Sequence, residues 1–422
     1  MTTEPSPRRA RVGEPAADPL TSLPPPLLDA ILTRLDLPDA VRTSALSRAW
    51  RRRWEALPYL CLSFVDNPGT APLAVDRVLA RYPGRISNFS FHVDEHSFGR
   101  VDDWLVALCD RGVKSINLRC ASPFILHSSL FLWAQLTHLK LCHCGLPPLP
   151  VGFTGFPMLK DLKLSFVEFL ENGESQLEAI LVGSPLLETL NLHFVDIRGN
   201  DPYSNVWVIR GANLRSLTIN SDFEYDWQVK ELPYLDEADI DVGNYVSPIN
   251  FRGFLASFAQ IRKLSLSLCA CYASSTGDGL LETLPFTFDN LKSLTLWTRF
   301  YEMRSIVLTF CVLRNTPNLE ELEITTYGDG DAPETNAEFL NTQWTDAFCA
   351  NLQAVKMKNI GWLQNEMYFI ELVLSKAAVL RTMHLSLGCR RSKSNEDALC
   401  ELMTYRRAST HARVFFDGKK KF

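Results

Sequence analysis

Two cysteine pairs, Cys142-His-Cys144 and Cys269-Ala-Cys271, are the residues of this 422-residue chain whose spacing invites a metal reading. A closed zinc site takes four thiolate or imidazole ligands, so a pair two residues apart supplies half of one and needs a matching second pair. None follows, and the expectation is burial of these thiols inside the fold, with Cys144 and Cys269 at a structural position. Asp278-Gly279 and Asp329-Gly330 read as turns before they read as calcium ligands. The eight histidines are scattered, and there is no glycine-rich phosphate loop, no Gly-x-Ser-x-Gly elbow and no His-Glu-x-x-His helix. The expectation is a chain with no catalytic residue, no metal and no cofactor, whose chemistry is that of surfaces.

Composition narrows those surfaces. The chain is 46% hydrophobic and 22% charged, with a net charge of -5, which suits a globular protein and gives no global attraction to nucleic acid. No window holds the roughly 18 uninterrupted apolar residues of a membrane helix, and Met-Thr-Thr-Glu-Pro-Ser-Pro-Arg-Arg at the N-terminus has no signal-peptide core. Eleven cysteines without a framework fit a reducing compartment, so the expected address is cytoplasm or nucleus. Residues 1–17 read as a disordered leader.

Apolar side chains are crowded into the next forty residues. Ser22 is a candidate helix cap, and Pro24 to Pro26 sit where a first turn tolerates missing N–H donors. Leu27, Ile31 and Leu35 recur at a spacing of four, with Leu28 and Leu32 as a second row beside them. Pro38 ends this helix and opens another with Val41 and Leu46, and Ser47 is placed to cap a third carrying Trp50 and Trp54. Three short helices bury too little surface to stand alone, and no cysteine precedes Cys61 to staple them. The supports left are packing on the rest of the same chain and, the favoured reading, a protein partner that takes the apolar rows in a groove.

Leu23-Pro24, Leu27-Leu28-x-x-Ile31-Leu32, Asp39-Ala-Val-Arg-Thr-Ser44-x-Leu46-Ser47-Arg48-x-Trp50 and Trp54 closely resemble the F-box of plant F-box proteins, over residues 18–57. That resemblance implies binding to the Skp-type adaptor of a cullin-RING ubiquitin ligase, and through it to a cullin scaffold. The residues at matching positions are Leu23, Pro24, Leu27, Leu28, Ile31, Leu35, Pro38, Val41, Leu46 and Trp50. Pro25 and Pro26 stand where many relatives carry acids, which removes charges favourable at a helix N-terminus but leaves the apolar rows intact.

The body of the chain repeats. The pattern Leu-x-x-Leu-x-Leu starts at Ile86/Phe89/Phe91 and Val113/Ile116/Leu118 and continues through Leu136/Leu139/Leu141, Leu159/Leu162/Leu164, Leu187/Leu190/Leu192 and Leu214/Leu217/Ile219. It runs on through Leu235/Ala238/Ile240, Ile261/Leu264/Leu266, Leu291/Leu294/Leu296, Leu319/Leu322/Ile324, Leu352/Val355/Met357 and Leu380/Met383/Leu385. The mean period is about 27 residues, that of leucine-rich repeats. The fold class is therefore an α/β repeat solenoid: a three-helix F-box, then an irregular leucine-rich-repeat horseshoe over 58–345, closed by a capping segment over 346–422. Gln176–Val182 and Met303–Phe310 are candidates for outer helices. The ninth position of the unit is Cys144 and Cys269 in two repeats and mostly not Asn elsewhere, so no asparagine ladder is expected.

The last part, from Ala350-Asn-Leu-Gln-Ala-Val-Lys-Met-Lys to Tyr405-Arg-Arg-Ala-Ser-Thr-His-Ala-Arg-Val-Phe-Phe, resembles the FBD region of many plant F-box proteins. A helix over 367–380 and a strand over 412–416 would cover the exposed end of the array.

Alternation along each strand aims the residues flanking the inward pair at the concave side. The strip reads Arg119, then His193, turns acidic at Glu237, Asp239 and Asp241, presents Trp297, is acidic again at Glu321 and Glu323, and ends with Lys356 and Lys358. These are the candidate contacts for a target protein, a basic or mixed-charge segment with Trp297 as anchor. The expected function is a non-catalytic substrate receptor of a ubiquitin ligase of the Skp-cullin-F-box (SCF) type. The rivals are an adaptor-binding interaction protein working outside a ligase and a small-molecule-dependent sensor, with a hydrolase as a remote third.

Overall fold

The computed structural model of the chain describes residues 23–35, 37–48, 50–51, 53–57, 59–64, 71–82, 84–198, 206–221, 226–242, 248–268, 284–327, 350–388 and 392–417. The leader, Ser22, Cys269-Ala-Cys271, Asp278 and Asp329 lie outside them.

The N-terminal segment folds around Leu28, Leu32, Ala40, Trp50 and Trp54, which belong to a core continuous with that of the array behind it. Helix α1 (Pro25–Leu32) has Pro24 as its N-cap residue and prolines in its first two positions, where a fixed φ is pre-set for helix and no N–H is missed. Helix α2 (Leu37–Arg42) follows, with Pro38 in its first turn. The expected third helix is instead a series of turns: Thr43–Ala45 and Arg53–Ala56 are single 3-10 turns, and the carbonyl of Ser47 accepts from Trp50 and Arg51. Arg53 ties the last turn to α1, donating to Asp29 at 2.7 and 3.2 Å and to the Pro25 carbonyl at 2.9 Å.

A single parallel sheet of 15 strands begins at once. Its strands are β1 (Tyr59–Phe64), β2 (Arg85–Val93), β3 (Ser115–Ile125), β4 (His138–Leu146), β5 (Asp161–Phe169), β6 (Thr189–His193) and β7 (Asp196–Ile197), the last pairing back onto β5. They continue with β9 (Ser216–Ser221), β11 (Glu237–Val242), β12 (Lys263–Ser267), β13 (Ser293–Thr298), β14 (Glu321–Thr326), β15 (Ala354–Ile360), β16 (Thr382–Leu387) and β17 (Arg413–Asp417). Apart from β7, each strand pairs with the next, so sequence order is spatial order, the mark of a solenoid. All three residues of every triplet from Ile86/Phe89/Phe91 to Leu380/Met383/Leu385 are buried. The first strand lies one unit upstream of the expected start, and the spacing Leu57/Leu60/Leu62 matches the same triplet. Leu57 is buried, and Tyr82 donates its hydroxyl to the Leu57 carbonyl at 2.7 Å, which pins the helical segment to the array.

Helices α3 (Ala71–Arg81), α4 (Phe98–Cys109), α5 (Gly173–Val182), α6 (Pro248–Ala256), α7 (Met303–Arg314), α8 (Gln364–Lys376) and α9 (Asn395–Thr404) connect strands. Both expected outer helices are among them, as α5 and α7. A separate two-stranded ribbon of β8 (Val206–Arg210) and β10 (Asp226–Lys230) buries Trp207 and Trp227, a feature no triplet announces.

The array does have an asparagine ladder, at a different position from the one considered. Asn213, Asn290, Asn318 and Asn351, each just before the first residue of a triplet, donate to the carbonyls of Pro185, Gln260, Asp289 and Pro317 in the preceding repeat. The closing segment is anchored by buried polar groups. Asn365 donates to the Phe300 carbonyl at 2.8 Å, and the Glu366 carboxylate accepts from the N–H groups of Gly361 and Leu363 at 3.0 and 2.9 Å. Burial pushes the Glu366 carboxyl up to about 7, against those hydrogen bonds. Strand β17 alternates exposed and half-buried residues, so it extends the sheet without sealing it.

Candidate interaction surfaces

The ten F-box positions divide by burial. Leu28 and Trp50 are core residues, 3% and 2% exposed, packed with Leu32, Ala40, Trp54 and Leu57. Both therefore lie beneath the exposed residues of the set. Leu23 and Leu35 are half-buried against that core, and Pro24 is exposed at the helix start. Leu27 (52%), Ile31 (37%), Val41 (39%) and Leu46 (53%) stand in solvent. Leu27 and Ile31 are one turn apart on the same face of α1. The side chain of Pro38 lies outside the described residues.

The two apolar rows of the sequence are thus one inner and one outer row. Four large aliphatics exposed within one short, highly charged stretch cost nothing in packing and gain nothing until something covers them.

The outer face of the sheet is built differently. Strand pairing in register sets side chains into three files. The first runs through Ser115, His138, Asp161, Thr189, Ser216, Glu237, Lys263, Ser293 and Glu321. The middle file carries Asn117, Lys140, Lys163, Asn191, Thr218, Asp239, Ser265, Thr295 and Glu323 beside it. Arg119, Cys142, Ser165, His193, Asn220, Asp241, Ser267 and Trp297 form the last. All eight candidate target contacts therefore lie on one face.

Their surroundings differ. Arg119, Glu237, Asp239 and Glu321 are exposed, while His193, Asp241 and Glu323 are half-buried. Burial lowers His193, and Asp239 acts in the opposite direction. Glu237 has Lys263 at 3.8 Å, and Glu323 is held by Lys358, so one of the two carboxylates of the second acidic point is neutralised. Trp297 is half-buried with its ring stacked on Tyr327 at 5.2 Å. Farther along, Lys356, Lys358, Asn359, His384, Ser386 and Asp417 line a cleft of about 400 Å³ with both signs of charge.

Sequence reasoning passed over one group on this face: His143, Phe166 and Phe194, which follow the last file on β4, β5 and β6 and stack ring on ring. The available signal was an aromatic residue two places after the third member of three successive triplets.

Among the described cysteines, Cys120, Cys144 and Cys311 are buried as packing. Cys144 is buried and its thiol is pushed well up by burial, with Cys120 and Cys142 adding to it, and burial takes Cys120 to about 12. Among the described residues no group of three His, Cys, Asp or Glu is placed to hold a metal ion. No helix among them is long and apolar enough to cross a membrane.

Comparison with known proteins agrees with the two-part architecture. Residues 20–62 match the F-box domain, and residues 101–241 match the leucine-rich repeats of FBD-associated F-box protein At5g56370. Neither is an enzyme family. Among similar Arabidopsis thaliana proteins, F-box/FBD/LRR-repeat protein At1g13570 is 28% identical over 94% of this chain and 98% of its own length. F-box/FBD/LRR-repeat protein At1g78750 is 26% identical over 95% and 97%. A solved LRR protein of Leptospira interrogans, LIC12759, aligns with 96% of the chain at 14% identity and a TM-score of 0.40. With an F-box match at residues 20–62, a leucine-rich-repeat match at 101–241 and likeness along nearly its whole length to proteins that carry both, the chain is similar to the plant F-box/FBD/LRR-repeat proteins.

Proposed function

We propose that this chain is the substrate-recognition subunit of an SCF-type ubiquitin ligase. Residues 18–57 bind a Skp-type adaptor and through it a cullin scaffold, the array over 58–345 holds a target protein, and the FBD-like segment over 346–422 carries the array to its last strand. The observation that carries this reading is the exposure of Leu27, Ile31, Val41 and Leu46 over an inner core of Leu28, Leu32 and Trp50. Burying a large aliphatic side chain is worth about 1.5–3 kcal/mol, so a groove that takes four of them gains enough to hold a partner firmly.

The chain itself catalyses nothing. Tethering a target to the adaptor raises the local concentration of its lysines near the ubiquitin-loaded enzyme, and positioning of that kind is the receptor's whole contribution. The target contacts are Arg119, His193, Glu237, Asp239, Asp241, Trp297, Glu321 and Glu323. The acidic centre at β11 and the Trp297 ring suit a basic segment of the target. Such a receptor works in the cytoplasm, the nucleus or both.

The test is capture of a purified Skp-type adaptor by the full chain, beside a Leu27→Asp/Ile31→Asp variant. Both substituted residues are outward, so the variant keeps its fold, and capture is expected to drop about a hundredfold or more. Failure of the well-folded parent to capture the adaptor would remove the ligase reading.

A further inference from the structure

Strands β4 and β5, and the chain just past the end of β6, each carry one residue in the left-handed region between the last outward side chain and the next inward one. After Cys142, Ser165 and His193 come His143 (φ 57°), Phe166 (φ 53°) and Phe194 (φ 50°), and then Cys144, Val167 and Val195 return to the core. Large side chains are disfavoured there by contact between Cβ and the backbone.

The turn itself does not ask for a ring. Strand β15 makes the same turn after Lys358 with Asn359 (φ 61°), the residue type that adopts it most readily, and there the amide is used within the fold, donating to the Thr326 carbonyl at 2.8 Å. At these three turns ring side chains hold the position, and the two phenylalanines do so against their own backbone preference. Their rings stack, His143 on Phe166 at 4.5 Å and 2°, Phe166 on Phe194 at 4.9 Å and 17°. Phe166 is 47% exposed, His143 is exposed and Phe194 is half-buried, so the stack is a ledge on the surface. Strain kept at bulky, exposed residues in register points to use of the surface they make.

Charge beside the ledge selects what lies on it. Arg119 pairs in register with Cys142, and Lys140 precedes it on β4. Among the described residues neither forms an ion pair, while Lys163 is tied to Asp161 at 3.3 Å. The ledge is therefore apolar on one side and has two unneutralised cations on the other, opposite in sign to the acidic centre at β11.

Resting on the reading that this face holds a protein target, we propose that the ledge binds an extended acidic segment of the target. A large apolar side chain of the segment lies on Phe166 and Phe194, and its carboxylates meet Arg119 and Lys140. The target would then present an acidic stretch here in addition to any basic stretch at β11.

The experiment is a selection of random displayed peptides on the full chain, repeated on Phe166→Asn/Phe194→Asn, on Arg119→Glu/Lys140→Glu and on Asp239→Lys. Expected are peptides that join acidic residues to one large apolar residue. They should lose affinity about tenfold or more in the first two variants and keep it in the third. Because Asn suits the left-handed turn, Phe166→Asn/Phe194→Asn should melt within about 2 °C of the parent or above it. A fall of more than about 5 °C with peptide binding intact would make the stack a structural spine and overturn the proposal. Enrichment of basic peptides lost only in Asp239→Lys would also overturn it while leaving the target-binding reading standing, and no enrichment on the folded parent would end it too. No adaptor enters the assay, so the outcome is independent of whether the ligase arm holds.

Discussion

The helical segment before Leu57 and the array behind it dispose of their apolar residues by opposite rules. In the array every residue of the twelve triplets is inside, and the outer face is polar apart from the His143–Phe166–Phe194 and Trp297–Tyr327 stacks. In the helical segment Leu28 and Trp50 are inside, while Leu27, Ile31, Val41 and Leu46 are left out. A stack of repeats covers each unit's apolar face with the next unit, so nothing need remain exposed. A segment of some thirty residues has a neighbour on one side only, where its core runs on into the array, and what it leaves uncovered on the other becomes its means of attachment. The difference separates two kinds of recognition: one surface binds by covering aliphatic side chains, the other by matching charge and ring positions on a rigid sheet.

The largest effect expected from this contrast is at Trp50. Trp50→Ala removes the biggest side chain of the small core and should cost about 3–5 kcal/mol, most of what so short a segment has. Hydrogen exchange should rise throughout residues 23–57 while the strands from β3 onward stay protected, because the array is held by its own contacts. If exchange in α1 and α2 is unchanged, the inner and outer rows are wrongly divided.

That division was beyond the sequence. Spacing of three and four residues identifies two rows on α1 but not which of them faces in, because Trp50 and Trp54 close over the Leu28 row from a turn whose position depends on the Arg53 to Asp29 clamp. The expected third helix failed for a local reason: Ser47 gives its carbonyl to two successive N–H groups and the chain tightens into 3-10 turns. The array was far more legible, since a period-two strand with leucine at fixed places states its inward face directly. Even there the first unit escaped notice, because Leu57/Leu60/Leu62 begins on the residue that closes the helical segment, and so did the asparagine ladder, which sits before the triplet instead of after it. The β8–β10 ribbon had no signal because its two tryptophans are not in triplet spacing.

A medium effect should come from pH, and from the array's end only. The Glu366 carboxyl is raised to about 7 by burial, above its ordinary 4.5. The folded state therefore holds a proton that the unfolded chain has lost, and this contribution is complete below about pH 4.5 and fades as pH rises through about 7. Hydrogen exchange in α8 and β15 should accelerate between pH 5 and 8 relative to the trend for β3 to β5. Glu366→Gln keeps an acceptor for the Gly361 and Leu363 N–H groups and should flatten the difference. A parent whose α8 exchange tracks that of β4 across this range would refute the assignment.

The smallest effect tests the claim that the outer face can be rewritten without touching the fold. Lys263 and Glu237 are neighbours in the first file, 3.8 Å apart, and both are well exposed. A pair of that kind contributes at most about 0.5 kcal/mol, since water screens it and two mobile side chains must be ordered to make it. Lys263→Ala should therefore leave the melting temperature within about 1 °C. It also frees Glu237 beside Asp239 and Asp241, so a basic peptide that binds at β11 should bind a few-fold tighter at low ionic strength, with the gain fading as salt shortens the reach of the charges to about 8 Å at 0.15 M. No such edit is open to the helical segment, where the outer residues are the attachment and the inner ones are the fold. A gain in affinity that persisted at high salt would mean that Lys263 had been blocking the site by its bulk, and the contrast between a charge-read sheet and a contact-read helix would have to be redrawn at that strand.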